Sequence, residues 1–110
     1  MKLNVSSMRQ RLQKLEQYIS ELEKHQPITP EKFKTDFTRQ LAVERAFQAA
    51  IESCTDIAAH LVSVYQLGHP QESRDVYQFL IDTGYLDRSF GEAMMAKEKI
   101  RENLRVSVSH

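Results

Sequence analysis

The sequence predicts an all-α protein, folded as an up-and-down bundle of four to five helices. Only three Gly and three Pro interrupt the 110 residues. Apolar residues recur at steps of three and four over long stretches, which is the period of one face of an α-helix. Apolar residues make up 41% of the chain and charged residues 27%. This balance is typical of a globular domain with one core and argues against a disordered or membrane-spanning chain.

The longest helical pattern covers residues 43–67 and contains neither Gly nor Pro. Its apolar side chains follow helical spacing and are expected to form one stripe along the helix. The members of this stripe are Phe47, Ala50, Ile51, Cys54, Ile57, Ala58, Leu61, Val64 and Tyr65. We therefore expect a central helix over residues 38–67, with Ile57 in the core and the other helices packed around it.

A second amphipathic helix is predicted over residues 5–24, starting at Ser6 or Ser7 and ending before Pro27. Its apolar side chains have heptad-like spacing: Val5, Met8, Leu12, Leu15, Ile19 and Leu22. Two interpretations remain open. The helix packs into the bundle, or it pairs with a copy of itself as a coiled coil.

Capping residues and helix breakers predict the other boundaries. Helix starts are expected at Thr29 before Pro30, at Ser73 and at Asp87, and a further start is expected at either Asp36 or Thr38. Gly68, with Pro70 beyond it, is expected to end the central helix, and Thr83–Gly84 to end the next one. Gly91 falls in the first turns of the last helix, where Gly lowers helix stability by roughly 1 kcal/mol relative to Ala.

Composition restricts the function classes. Fifteen basic and fifteen acidic residues cancel, so the net charge gives no indication of a large nucleic-acid-binding surface. Cys54, the single cysteine, is expected to be a small buried side chain in a reducing compartment. No apolar run resembles a signal peptide or reaches membrane-spanning length, so a cytoplasmic protein without a membrane segment is expected.

The stretch AIESCTDIAAHLVSVYQLGHPQESRDVYQFLIDTGYL carries a family resemblance. Residues 42–96 resemble the central part of HepT-like proteins, a branch of the HEPN helical domains. The matching features are Arg45, the turn from Asp56 to His60, Gly68-x-Pro70 and the run Ser73-Arg74-Asp75. The resemblance implies one HEPN-like helical domain over residues 1–110, with a C-terminal part that is incomplete relative to the family.

The resemblance also implies a function. HepT-like proteins are ribonuclease toxins of toxin–antitoxin pairs, and they cut RNA, often tRNA, without a metal ion or cofactor. A homodimer is implied, with a cleft that brings two copies of the catalytic motif together. The implied partner is a cognate minimal nucleotidyltransferase antitoxin of the MntA type, which modifies a tyrosine of the toxin motif with AMP. No Tyr follows Tyr85 here, so that form of neutralisation is not expected.

The catalytic motif of these proteins is Arg, four residues, His, any residue and Tyr, and the Arg is usually followed by Asn. Arg places a permanent charge near the phosphate, and His exchanges a proton near neutral pH. Two registers fit in part. Arg105 and His110 have the Arg-to-His spacing, without the Asn or the Tyr. Arg101 and Asn103 form the Arg–Asn element with Glu102 inserted, and Ser107 then takes the His position.

The candidate catalytic residues are therefore Arg105, His110, Arg101 and Asn103, although both arginines also suit a structural role near a helix C-terminus. Asp56 and His60 are the second polar constellation, four residues apart on one helix face. Two ligands are too few for zinc, so we expect an Asp–His hydrogen bond or a polar contribution to a cleft facing the last helix.

Two other functions remain open. The first is a catalytically inactive HEPN-like module that dimerises and binds without cutting, which the incomplete motif favours. The second is an adaptor bundle whose heptad-like first helix binds another helix.

Overall fold

The computed structural model describes residues 3–26 and 28–108, with the backbone alone for residues 105–108. Within these ranges the chain forms five α-helices and no strand, which confirms the predicted class. The helices are α1 (Val5–Glu23), α2 (Pro30–Thr35), α3 (Phe37–Val64), α4 (Asp75–Asp82) and α5 (Arg88–Val108). None of them, in the part of the chain described, has the length and apolar character needed to cross a membrane.

The central helix α3 contacts each of the other four helices. The helices α4 and α5 also pack on each other, whereas α1 packs on α3 alone and buries no residue completely. The core consequently lies between α3, α4 and α5. Its buried members are Ile51, Ala58, Val62, Val76, Tyr77, Leu80 and Met94.

The predicted apolar stripe of α3 is largely correct. Ala50, Ile51, Ala58 and Val64 are buried, and Phe47, Cys54 and Leu61 are partly buried and pack against the core. The stripe is wrong for Ile57 and Tyr65. Val62 is 1% exposed and was not in the stripe, whereas Tyr65 is 50% exposed. Ile57 is only partly buried and lies outside the core cluster. The reason is that α1 packs on one side of α3 and the α4–α5 pair on another, so the buried surface is wider than one stripe and is centred elsewhere.

Three of the predicted helix starts are confirmed. The Thr29 hydroxyl accepts a hydrogen bond from the Lys32 amide at 3.2 Å. Asp36 accepts one from the Arg39 amide at 3.0 Å, and Asp87 one from the Phe90 amide at 3.2 Å. Each of these side chains satisfies an amide that has no partner within its own helix.

Two predicted caps are wrong. Asn4 caps α1 in place of Ser6 or Ser7, because its side-chain oxygen accepts from the Ser7 amide at 3.0 Å. Ser73 does not cap α4, since Arg74 occupies the N-cap position and makes no side-chain cap bond. The carboxylate of Asp75 instead accepts the amides of Gln71 and Glu72 at 2.9 and 3.0 Å, which folds the preceding connection onto the start of α4.

The C-terminus of α3 also differs from the prediction. Gln66, not Gly68, takes the left-handed conformation that ends the helix, with a φ of 51°. The Leu67 amide donates to the Val62 carbonyl at 3.0 Å, and the Gln66 amide to the Ser63 carbonyl at 3.3 Å. This pair of bonds is the Schellman arrangement. Gly84, with a φ of 83°, ends α4 with the same pattern and confirms the Thr83–Gly84 prediction.

Gly91 allows α4 and α5 to approach closely, which explains its position inside a helix. A Cβ at this residue would lie 2.5 Å from Cδ1 and 2.6 Å from Cγ1 of Ile81, which is itself buried. We expect Gly91→Ala to lower the free energy of unfolding by about 1–3 kcal/mol, because overpacking outweighs the gain in helix propensity. Chemical denaturation of this variant beside Ser89→Ala, an exposed position in the same turn, measures the effect. Stabilisation of the Gly91 variant would mean that the two helices separate without cost.

Candidate functional site

The candidate catalytic residues lie in the last part of α5 and beyond it. Arg101 and Asn103 are two residues apart, which puts them about 200° apart around the helix axis. Arg101 is 6% exposed and faces the bundle, whereas Asn103 is exposed to solvent. These two candidates therefore do not share a site within one chain. Arg105 is one turn after Arg101, about 40° away on the helix, and only its backbone is described. His110 lies outside the described residues.

Arg101 belongs to a buried polar network that joins α3, α4 and α5. Its guanidinium donates to Glu98, with Nε at 3.1 Å from both carboxylate oxygens. Glu98 is fully buried, at 0% exposure. The Thr55 hydroxyl donates to Oε2 of Glu98 at 2.8 Å and lies 2.8 Å from the hydroxyl of Tyr77. Because the single proton of Thr55 goes to the carboxylate, Tyr77 must donate to Thr55.

The protonation states are consistent with this direction of hydrogen bonding. The hydrogen bonds to Glu98 raise the pKa of Arg101 above its ordinary value, against burial, which lowers it. The nearby carboxylates of Glu52 and Glu102 add to that rise. Burial raises the pKa of the Tyr77 phenol, so the donor to Thr55 stays protonated. The network thus holds one positive and one negative charge in fixed geometry.

This geometry gives Arg101 a structural role within the described chain. A guanidinium binds phosphate through its fork of N–H donors, and here Nε and one Nη nitrogen are engaged by Glu98. A phosphate would have to displace a fully buried carboxylate that has no other cation at hydrogen-bonding distance among the described residues. Within the described residues, the guanidinium of Arg101 is therefore held by Glu98 and is not free to bind a phosphate.

Asp56 and His60 do not form the expected pair. The carboxylate of Asp56 is exposed and forms an ion pair with Arg11 of α1, so it faces α1 and not the last helix. Nε2 of His60 is buried and has no hydrogen-bond partner among the described residues. The described residues include no group of three or more His, Cys, Asp or Glu placed to hold a metal ion.

An open groove of 910 Å³ runs between α1 and α3. Its apolar lining residues are Leu41, Ala42, Ala46 and Ala49. Three acidic residues and one basic residue also line it: Glu21, Glu44 and Glu52, and Arg45. An adjoining groove of 330 Å³ shares Tyr18, Ala49 and Glu52 and adds one Lys and one Asp. An acidic lining repels a phosphate backbone, so these grooves are not the expected RNA contact.

Sequence reasoning missed Thr55, Tyr77 and Glu98 as members of a polar network. One signal was present. Glu98 follows Met94 by four residues, so it lies on the same face of α5 as a core side chain, where an unpaired carboxylate is rarely tolerated. The next residue on that face is Arg101, three positions later, which is within pairing distance on a helix.

Comparison with known proteins decides the family. The family model described as ribonuclease HepT-like matches residues 15–105. The chain belongs to the HepT-like family. The mRNA nuclease HepT of Shewanella oneidensis is 38% identical over 60 residues, which are 54% of this chain and 45% of that protein. The matched part of this chain therefore covers less than half of the length of that relative.

Two solved structures resemble the HepT-like fold described above. The first is a crystal structure of a toxin–antitoxin with AMP-PNP, with a TM-score of 0.80 and 26% identity over 86% of this chain and 71% of that chain. The second is a tri-AMPylated HEPN toxin of Shewanella oneidensis in complex with an MNT antitoxin, with a TM-score of 0.82 and 26% identity over 90% and 73% of the two chains. The family resemblance and the HEPN-like helical bundle predicted from the sequence are both confirmed.

Proposed function

We propose that this HepT-like chain is the ribonuclease toxin of a toxin–antitoxin pair and cuts RNA without a metal ion or cofactor. The observation that carries the proposal is the family match over residues 15–105, together with the fold shared with HEPN toxins. The similar protein from Shewanella oneidensis is named an mRNA nuclease. RNA is therefore the proposed substrate class, with tRNA as one candidate within it, and the cytoplasm is the proposed location.

Arg105 and His110 are the proposed catalytic residues. Arg105 supplies a permanent positive charge for the scissile phosphate, and the imidazole of His110 transfers the proton of the attacking or leaving oxygen. On one helix, five residues of spacing separate the two side chains by about 140°. We therefore propose a homodimer in which the ends of two α5 helices form one cleft, and in which residues 1–110 act as a single domain.

The proposed protein partner is a minimal nucleotidyltransferase antitoxin. Two structures of similar fold are toxin–antitoxin complexes, one with AMP-PNP and one with an MNT antitoxin. Binding of this antitoxin to the chain is the proposed mode of neutralisation.

One observation favours a second candidate function, a dimerising module that binds without cutting. Arg101, the arginine of the second motif register, has its guanidinium occupied by Glu98 and is 6% exposed. Asn103 points away from it around the helix. If Arg105 and His110 do not form a site, the HepT-like scaffold remains able to bind an antitoxin or RNA without catalysis.

RNA cleavage in EDTA by the purified chain tests the proposal. We expect cleavage by the wild type, and a fall of about 10²-fold or more in His110→Ala, because the proton-transfer group is lost. The cleavage rate of Arg105→Ala should fall by a similar factor, since the charge opposite the phosphate is removed. His69→Ala is the matched control, because His69 is exposed in the connection before α4 and should leave the rate unchanged.

A version extended with a complete Arg-Asn-x3-His-x-Tyr ending separates the two candidate functions. Cleavage by the extended version alone would assign this chain to the binding module. Unchanged cleavage by His110→Ala would remove His110 from the site. If neither version cuts RNA but the chain binds a nucleotidyltransferase antitoxin, the ribonuclease proposal fails and the module remains.

A further inference from the structure

The first helix leaves half of its apolar face uncovered. α1 packs on α3 alone, through the side that carries Arg11, Leu15 and Tyr18. Three apolar residues on the neighbouring flank remain exposed: Val5 at 63%, Leu12 at 45% and Ile19 at 42%. They are seven residues apart, so they form one straight row along the helix. A row of this kind is typical of a helix that pairs with another helix.

Two charged residues border this row. Arg9 lies three residues before Leu12 and Glu16 four residues after it, both on the side of the row away from α3. Both are exposed, and neither forms an ion pair with another described residue. Arg11 and Lys14, by contrast, lie towards α3, where Arg11 pairs with Asp56.

The row and its two charges are self-complementary when two copies run antiparallel about Leu12. Val5 lies as far before Leu12 as Ile19 lies after it, so each would pack on the other in the second copy. In this arrangement Arg9 lies opposite residue 15 of the second copy, which is next to Glu16 along the helix axis. Arg9 and that Glu16 also lie on the same side of the contact. The two-fold axis produces this ion pair twice. A parallel pair would leave Arg9 and Glu16 seven residues apart, about 10 Å along the axis.

We propose that α1 is a self-association surface, on which a second copy of this chain packs its own α1 antiparallel about Leu12. The pairing covers Val5, Leu12 and Ile19 of both copies and forms two Arg9–Glu16 ion pairs. The surface does not overlap the groove between α1 and α3, because Leu12 and Tyr18 are about 120° apart around the helix.

This contact differs from the dimer cleft of the proposed ribonuclease. That cleft involves the end of α5, whereas α1 has no contact with α5 in the described chain. Variants of the α1 row are therefore expected to change self-association whether or not the chain cuts RNA. The charge reversals on α1 therefore test this contact separately from the α5 cleft, and their failure would leave the ribonuclease proposal standing.

Charge reversal measures the pairing directly. Sedimentation equilibrium of the full chain should give a dissociation constant for self-association, and we expect Arg9→Glu and Glu16→Arg each to raise it about tenfold, because like charges then meet twice. The double variant Arg9→Glu with Glu16→Arg should return it to within about threefold of the wild type. Gln10→Glu and Gln17→Arg change the charge of exposed α1 positions on the opposite side, and should have no such effect.

Three outcomes would overturn the proposal: a wild-type chain that stays monomeric, single reversals no different from the Gln controls, or a double variant weaker than either single variant. Far-ultraviolet circular dichroism confirms that each variant is folded.

Cross-linking tests the orientation in a Cys54→Ser background, which has no other cysteine. With a short bis-maleimide, Leu12→Cys should cross-link to its own copy. Val5→Cys should cross-link only when mixed with Ile19→Cys. Cross-linking of Val5→Cys to itself would show a parallel pair and contradict the antiparallel contact.

Discussion

Replacing Arg101 with Ala is expected to lower the free energy of unfolding by about 3–5 kcal/mol. The variant leaves the carboxylate of Glu98, which is 0% exposed, with the Thr55 hydroxyl as its remaining hydrogen-bond donor among the described residues. A buried charge without a counter-charge carries a desolvation cost that one neutral hydrogen bond does not offset. A domain of this size has a total stability of roughly 5–15 kcal/mol, so the loss is a large share of it.

Urea denaturation followed by circular dichroism measures this effect. Arg88→Ala is the matched control, because Arg88 pairs with Glu92 on the same helix but both side chains are exposed, at 68% and 61%. Its cost should stay below about 1 kcal/mol. The double variant Glu98→Met with Arg101→Met should recover most of the loss, since it removes both charges. A loss below about 1 kcal/mol for Arg101→Ala would mean that water or another cation reaches Glu98.

This result bears on how cleavage data are interpreted. Loss of RNA cleavage in an Arg101 variant does not identify a catalytic role, because the same change weakens the contact between α5 and α3. Cleavage by Arg105→Ala and His110→Ala is informative only if these variants unfold at the same denaturant concentration as the wild type. The stability measurement therefore comes before any assignment of the motif register.

Three of the helix starts could be predicted because their determinants are local. Thr29, Asp36 and Asp87 each bond an amide three residues later, which a sequence pattern records. The end of α3 could not be predicted from the sequence, because Gln66 takes the left-handed conformation, which Gly or Asn usually occupies. Gly68 does not end the helix. A glycine is needed at this position for packing, since a Cβ on it would lie 2.8 Å from the ring of Phe79.

The polar network could not be predicted because its members come from distant parts of the chain. Thr55 is 22 residues from Tyr77 and 43 residues from Glu98. Periodicity gives the face of each helix but not the neighbour it meets, so Thr55 gave no signal within α3. For the same reason the four-residue spacing of Asp56 and His60 suggested a local pair, whereas the nearer partner of Asp56 was Arg11 on another helix.

Truncating Leu80 to Ala is the second change expected to have a large effect, about 2–5 kcal/mol of the free energy of unfolding. Leu80 is 5% exposed and belongs to the cluster that joins α3, α4 and α5. Removing its side chain loses buried apolar contacts and leaves a cavity between three helices that cannot fully collapse. Leu41→Ala is the matched control, because Leu41 is 51% exposed and the same truncation there should cost less than about 1 kcal/mol.

Ile57→Ala, measured in the same series, distinguishes the core of the structure from the stripe predicted by periodicity. Because Ile57 is only partly buried and lies outside the core cluster, its truncation should cost less than that of Leu80. A cost for Ile57→Ala above that of Leu80→Ala would mean that another surface covers Ile57 in solution. Repeating both measurements over a range of protein concentrations would show whether that surface is a second copy.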